Sequence, residues 1–330
     1  MERERLIAIA PFALVAALAA GVALAGFVAS PHARNESVGA STSNAPASPA
    51  QTSVAESASP EPSASPSSAP SAATASSGPK SNDADAMLRV HNELRAAIGA
   101  PTVRGDDRVT AAAQHHAEYL ARAGIIGHDE TAGEPGFTGA SVRDRLAAEG
   151  YTDATASEVA ASSDTGTEDV RFLWDLPYHR LGLMHPHAVI AGWGHAEIGG
   201  HTATVGVIVF DFTPAALERV RSPAAGQHVA GAWAGEESPD ALPPGASRPV
   251  GYPVMVVYSN AAQVDLRSAK LTDASGRDIT VSVVPQIYER DYVAVVPSAP
   301  LAAGASYRVR LELSVGGSDI VEEWEFETER

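Results

Sequence analysis

The sequence predicts an α+β domain followed by an all-β domain, the pair carried on an exported tether. Three observations point there. Helical periodicity is concentrated before residue 180, β-branched runs take over after residue 188, and a Ser/Ala/Pro-rich stretch separates both from an apolar N-terminal run. Helices early and strands late favour an α+β arrangement over repeated βαβ units.

The chain has 330 residues, enough for two ordinary domains. Its formal net charge is −17, a surface that repels phosphates, so neither nucleic acid nor an anionic bilayer is an expected electrostatic partner. Cysteine is absent, which excludes disulfides, thiolate catalysis and Cys-based zinc sites.

Residues 1–28 read as a signal peptide or signal anchor. Leu6 to Val28 is one uncharged apolar run after Glu2, Arg3, Glu4 and Arg5, and roughly 20 apolar residues suffice to cross a bilayer. Ala23-Leu24-Ala25 would serve a signal peptidase, so cleavage and anchoring both fit. Either way the rest is exported, with membrane contact only through this segment. Residues 29–82 hold almost no large apolar side chain and are expected to be a disordered spacer.

The first folded domain is expected over residues 83–215. Met87, Val90, Leu94 and Ile98 recur at helical spacing, and Gly99 and Pro101 end that helix. Asp107 starts a second with Val109, Ala112, Ala113, His116 and Leu120 inward, stopped at Gly124. His115 and His116 lie about 100° apart on a helix, so packing or surface is their default role. A Gly/Pro-rich loop carries His128, and a third helix runs from about Ser141 to Glu149. Tyr151 to Ser163 reads as an irregular or extended piece bearing Glu158. A fourth helix opens at Thr167-Glu168 and breaks at Pro177, which lacks the amide proton a helix needs. Val189–Trp193 and Ala203–Phe210 read as an antiparallel hairpin around Gly199-Gly200.

These residues carry a resemblance. His-Asn-Glu-Leu-Arg (91–95), Ala-Ala-Ala-Gln-His-His-Ala-Glu-Tyr-Leu (111–120), His128, Pro-Gly-Phe-Thr-Gly (135–139), Glu158, Trp174 with Pro-Tyr-His-Arg (177–180) and Gly-Trp-Gly (192–194) follow one another in order. The set resembles the CAP superfamily of cysteine-rich secretory, antigen 5 and pathogenesis-related 1 proteins (the SCP domain), in its cysteine-free bacterial branch. The resemblance implies a three-layer α-β-α sandwich whose central cleft holds two histidines and two acids. His128, Glu158 and His179 match three of those positions. The second acid has no clear match, and Asp175 or Glu130 could stand in. Trp174 and Tyr178 would form core or cleft wall.

Two histidines and a glutamate could make a three-ligand divalent site for Zn or Mg with one open position. The stronger His-Glu-x-x-His pattern is absent, as is a Gly-x-Ser-x-Gly elbow. The bland reading is that the three side chains pair with one another and pin loops, because buried ionisable groups need partners. His185, His187, His195 and His201 are expected in loops near the cleft rim.

From about residue 220 to 330, short β-runs repeat between turn signals: Pro253–Tyr258, Ser268–Thr272, Thr280–Val284, Tyr292–Val296, Tyr307–Ser314 and Val321–Glu327. About seven strands in roughly 110 residues fits an Ig-like sandwich, with Trp324 and Phe326 inward and the glutamates outward. The functional expectation is non-catalytic binding at the cell envelope or outside the cell. The cleft would take a lipid or sterol-like molecule, another envelope component, or a divalent cation. A metal-dependent hydrolase acting outside the cell, and adhesion through the Ig-like half, are the alternatives.

Overall fold

The computed structural model describes residues 7–9, 81–162, 165–213 and 218–330. Most of the expected leader and spacer lies outside these residues. Ile7–Ile9, within the apolar run, form a strand (β1) on the edge of the first sheet, and α1 begins at Ser81, inside the expected spacer. Among the described residues no helix is long and apolar enough to cross a membrane.

The helical half runs α1 (Ser81–Ala97), α2 (Asp107–Ala123), α3 (Val142–Ala148), strand β2 (Thr155–Ala161), α4 (Gly166–Asp175) and α5 (Pro177–Met184). A long hairpin follows, β3 (Ala188–Ile198) and β4 (His201–Phe210), giving sheet order β1-β2-β4-β3. Local chemistry sets the boundaries. Asp106 and Thr165 cap α2 and α4 by accepting amide N–H bonds, and Ser141 with Asp144 forms a reciprocal capping box on α3. Gly124, at φ 65°, stops α2 in a left-handed conformation that costs glycine little. Pro177 ends α4 as expected but also opens α5, an additional helix, because a first-turn residue needs no amide donor.

Alternation on the strands sorts the core. Ala160, Ile190, Val205, Val207 and Val209 pack with Val109, Ala112, Ala113 and Leu120 of α2. Val159, Ala161, Ala191, Trp193 and Ile208 join α1, α4 and α5 through Met87, Leu173, Trp174 and Leu181. The Gly-Trp-Gly segment is explained by the first contact. A Cβ on Gly192 would lie 2.4 Å from Val109 C, and one on Gly194 would lie 2.4 Å from Gln114 Cα. Helix α2 therefore rests directly on the β3 backbone.

The C-terminal half has two sheets. One, in order β10-β11-β7-β5, uses β5 (Arg219–Ser222), β7 (Val254–Tyr258), β10 (Val281–Val283) and β11 (Tyr292–Pro297). The other, β6-β13-β12-β8-β9, uses β6 (His228–Val229), β8 (Val264–Asp273), β9 (Asp278–Ile279), β12 (Ser306–Val315) and β13 (Ser318–Thr328). Val254, Val256 and Tyr258 share an apolar cluster with Val309, Leu311, Leu313, Trp324 and Phe326 of the second sheet. Glu322 breaks the expectation of outward glutamates. It shares strand parity with Trp324 and Phe326, is buried, and accepts from Tyr258 Oη at 2.6 Å and Arg219 Nε at 2.8 Å.

The two halves belong to one compact unit. Met255 and Val257 of β7, and Tyr292, Ala294 and Val296 of β11, belong to the same cluster as α1, α4 and α5. The first C-terminal sheet is thus buried on both faces, which is why its strands read Val-Met-Val-Val-Tyr and Tyr-Val-Ala-Val-Val-Pro without polar alternation. The Pro/Gly-rich stretch after residue 222 also packs here, through Trp233, Ala241, Leu242 and Val250. Arg180, fully buried, donates to Ser222 Oγ at 3.2 Å and Pro253 O at 2.9 Å and lies 4.5 Å from the centre of the Tyr252 ring.

Because the Gly194 Cβ position is filled by backbone, Gly194→Ala is expected to destabilise the chain by about 1–3 kcal/mol, the usual cost of overpacking. Urea unfolding of the variant against wild type measures this.

Candidate functional site

The site grows from the loop that follows α2. Past Gly124 the chain carries His128 and Glu130 back under α2. Gly139 lets this loop close on α3, since a Cβ there would lie 2.6 Å from Arg145 N. Glu158 enters from the middle of β2, opposite Val207 in the sheet.

Five polar side chains meet behind this loop, and all are buried or nearly so. Arg145 Nη2 donates to both Glu158 oxygens, at 3.0 and 2.8 Å, and to His128 O at 2.9 Å. His128 Nδ1 donates to Glu158 Oε1 at 3.0 Å. His116 Nδ1 lies 2.9 Å from Glu130 Oε1, while its Nε2 lies 3.2 Å from Gly127 O and 3.4 Å from Glu158 Oε1. Each ring nitrogen of His116 thus faces an oxygen acceptor. Glu130 Oε2 accepts the amides of Thr138 at 2.5 Å and Gly139 at 3.1 Å.

The electrostatics follow from this packing. Burial pushes the Glu158 carboxyl up, but His116, Arg145 and the His128 donor outweigh it and hold it at about 2. Burial likewise opposes ionisation of Glu130, and the His116, Thr138 and Gly139 donors with Arg145 bring it below the usual carboxylate range. His128 Nε2 is buried and has no hydrogen-bond partner.

His179 does not join this cluster. Glu158 shares its strand face with Ala160, towards α2, whereas α5 packs on the opposite face with Val159 and Ala161. The sheet therefore separates His179 from His128 and Glu158, which corrects the expectation of a single cleft. His179 Nδ1 instead meets Glu237 Oε1 at 2.9 Å. The same oxygen accepts the amides of Tyr178 at 2.8 Å and His179 at 3.1 Å. Leu176, the N-cap of α5, offers no side-chain acceptor, so Glu237 supplies the cap from far along the chain. At the other end of α5, His91 Nε2 donates to Leu183 O at 2.9 Å, and Arg95 donates to Leu183 O at 2.5 Å and His185 O at 3.1 Å. The anion sits at the positive end of the helix and the cation at the negative end, as the macrodipole favours. Burial raises the Glu237 carboxyl, opposed by His179 and the two amides.

The remaining expected residues fall elsewhere. Glu130 is the acid found beside His116, while Asp175 makes no described contact with either histidine cluster, and burial raises its carboxyl against the pull of Arg180. Trp174 is a core residue, edge-on to His91 at 6.4 Å. Tyr178 is buried against the C-terminal half and donates its hydroxyl to Pro285 O at 3.0 Å, so neither lines the His128 cluster. His185 and His187 are buried and contact Asp291 and Asn260, not a rim; His195 and His201 lie on strands.

Sequence reasoning passed over three participants. For His116 the default is packing or surface, although it lies on the inner stripe of α2. Arg145 lies three residues after Val142, an inward position on α3 that an arginine occupies only with partners. Glu237 gave no signal, since it sits in a Pro/Gly-rich acidic stretch without periodicity.

A bound divalent ion, which the CAP resemblance allows, does not fit these residues. Among the described residues no three His, Asp or Glu side chains converge on a common point suited to a metal ion.

Comparison with known proteins gives the helical half its class. Residues 88–212 match the family model described as CAP, the cysteine-rich secretory protein family, so the chain carries a CAP domain there. Comparison with curated proteins gave no match. Among solved structures, an extracellular SCP-domain protein of Bacillus anthracis is similar at 16% identity and a TM-score of 0.33, over 40% of this chain and 41% of that one. An outer surface protein of Borrelia burgdorferi shows 16% identity and a TM-score of 0.33, over 38% and 90% respectively. CopC of Methylosinus trichosporium OB3b shows 18% identity and a TM-score of 0.24, over 33% and 88%. Overlaps this partial fix neither fold nor role.

Two outcomes follow. Glu158 is held below its unfolded value, so its stabilising contribution is present above about pH 4.5 and is lost as pH falls towards about 2. The stability gap between wild type and Glu158→Gln, measured by denaturant titration, is therefore expected to be widest near neutrality and to shrink through that window. Glu237→Ala leaves two amides and a histidine without their acceptor and should cost about 1–3 kcal/mol, read as a lower thermal midpoint.

Proposed function

We propose that the chain is an exported cell-envelope protein whose CAP domain, read as a three-layer α-β-α sandwich, is a non-catalytic binding module. One observation carries this reading. The nitrogen a general base would use, His128 Nε2, is buried, while both oxygens of its partner Glu158 accept from Arg145. A general base must reach the proton it removes, directly or through one water.

A groove of about 460 Å³ lined by Arg104, Arg108, Tyr151, Asp153, Asp211 and Phe212 offers a surface for a ligand. Phe212 is 38% exposed there, and Arg108 stacks 4.7 Å from the Tyr151 ring centre. Guanidinium groups beside Asp153 and Asp211, with the Tyr151 and Phe212 rings, suit the polar head of an amphipathic molecule such as a lipid. The C-terminal half, read as an Ig-like sandwich, serves as the rigid platform on which the CAP domain is mounted.

Native mass spectrometry of protein purified without detergent is expected to show a co-purifying small amphipathic molecule, depleted in Phe212→Ala. Peptide and ester panels should show no turnover. An empty protein, or hydrolysis abolished by His128→Ala, would refute the reading.

A further inference from the structure

A divalent ion is held by lone pairs that converge on one point, from deprotonated ligands with no competing cation between them. The Glu158 cluster has the ligand types, and its geometry shows what occupies their lone pairs. Glu158 gives both oxygens to Arg145 Nη2, at 3.0 and 2.8 Å, and Oε1 also accepts from His128. Arg145 Nε lies 4.0 Å from Glu130 Oε1, so the guanidinium stands between the two carboxylates. Glu130 spends its other oxygen on the Thr138 and Gly139 amides, and His116 presents a nitrogen to each acid.

We infer that Arg145 is the built-in cation of this cluster, which closes it to a divalent metal. Two carboxylates face one guanidinium, and the His116 and His128 rings occupy further carboxylate lone pairs. A dication added to this set would meet Arg145 at ion-pair range, in a pocket too dry to screen it. It would also have to displace His128 and Arg145 from Glu158 at once. The anchoring is mechanical as well as electrostatic. Arg145 Nη1 donates to Gly139 O at 3.1 Å and Nη2 to His128 O at 2.9 Å, so the guanidinium also fastens both ends of the loop. The inference goes beyond the binding-module reading and does not depend on it, because a lipid in the outer groove and a metal in this cluster are independent events.

The test is zinc binding by equilibrium dialysis on the full chain, with circular dichroism on every variant. Wild type and His128→Ala should bind zinc identically, any uptake coming from surface histidines. Arg145→Met should gain about one equivalent, at least about a hundredfold tighter than wild type, as expected when a like charge at contact range is removed. That gain should vanish in the Arg145→Met/His128→Ala double variant. A zinc equivalent in wild type that disappears in His128→Ala overturns the inference, and so does a folded Arg145→Met that gains nothing. If Arg145→Met does not fold, Arg145→Lys decides with wild type. The lysine keeps a cation, so zinc uptake dependent on His128 in that variant also refutes the assignment, whereas its absence supports it.

Discussion

The buried ion pair between Arg145 and Glu158 is the constraint on which the CAP half depends. Neither charge could stay in that position alone, because an unpaired ion in a dry pocket costs several kcal/mol. Each is therefore bound to wherever the other is placed. Glu158 is fixed by the β2 ladder, and Arg145 by the capping box that sets the phase of α3. The loop ahead of α3, from His128 to Gly139, has little regular structure of its own. It is held because its carbonyls and amides complete the shells of Arg145 and Glu130. Satisfying the ions and ordering the loop are the same event.

A second tie joins the two halves. Helix α5 is gripped at one end by Glu237 and at the other by His91 and Arg95, while Arg180 on its flank reaches Pro253 and Ser222. The apolar counterpart is the strand pair β7 and β11, whose alternate residues enter different clusters. The His-Asn-Glu-Leu-Arg and Pro-Tyr-His-Arg segments that signal a CAP domain thus act largely as fasteners. They cap a helix and anchor a neighbouring sheet.

Much of the architecture was legible because it rests on local rules. The inward stripe of α2, the Gly124 stop, the hairpin around Gly199 and the alternation in β12 are properties of short windows. Pro177 was ambiguous for a physical reason: the same missing amide that ends one helix is harmless at the start of the next. The candidate site was harder. Sequence order put His128 in a loop and Glu158 in an irregular or extended piece, but it could not say which face of β2 the glutamate takes relative to α5. That one parity assignment separates His179 from the cluster. The partners that matter most, Arg145 and Glu237, are revealed only by tertiary contact. Nothing in a window around residue 237 distinguishes it from its neighbour Glu236, yet one is buried under a helix end and the other is exposed.

The cap on α5 also has a consequence for the order in which the chain can be made. A ribosome delivers His179 well before Glu237, 58 residues later, and Tyr178 waits 107 residues for Pro285. During synthesis the CAP half therefore emerges with the start of one helix uncapped by Glu237 and with the apolar face meant for β7 and β11 still bare. Its final closure is timed by the arrival of the C-terminal strands. Long-range contacts of this kind form late and leave the intermediate open to association. The C-terminal half is in this sense the step that finishes its predecessor, and a chain cut short between residues 213 and 237 would leave the ribosome with a surface that only the missing part can cover.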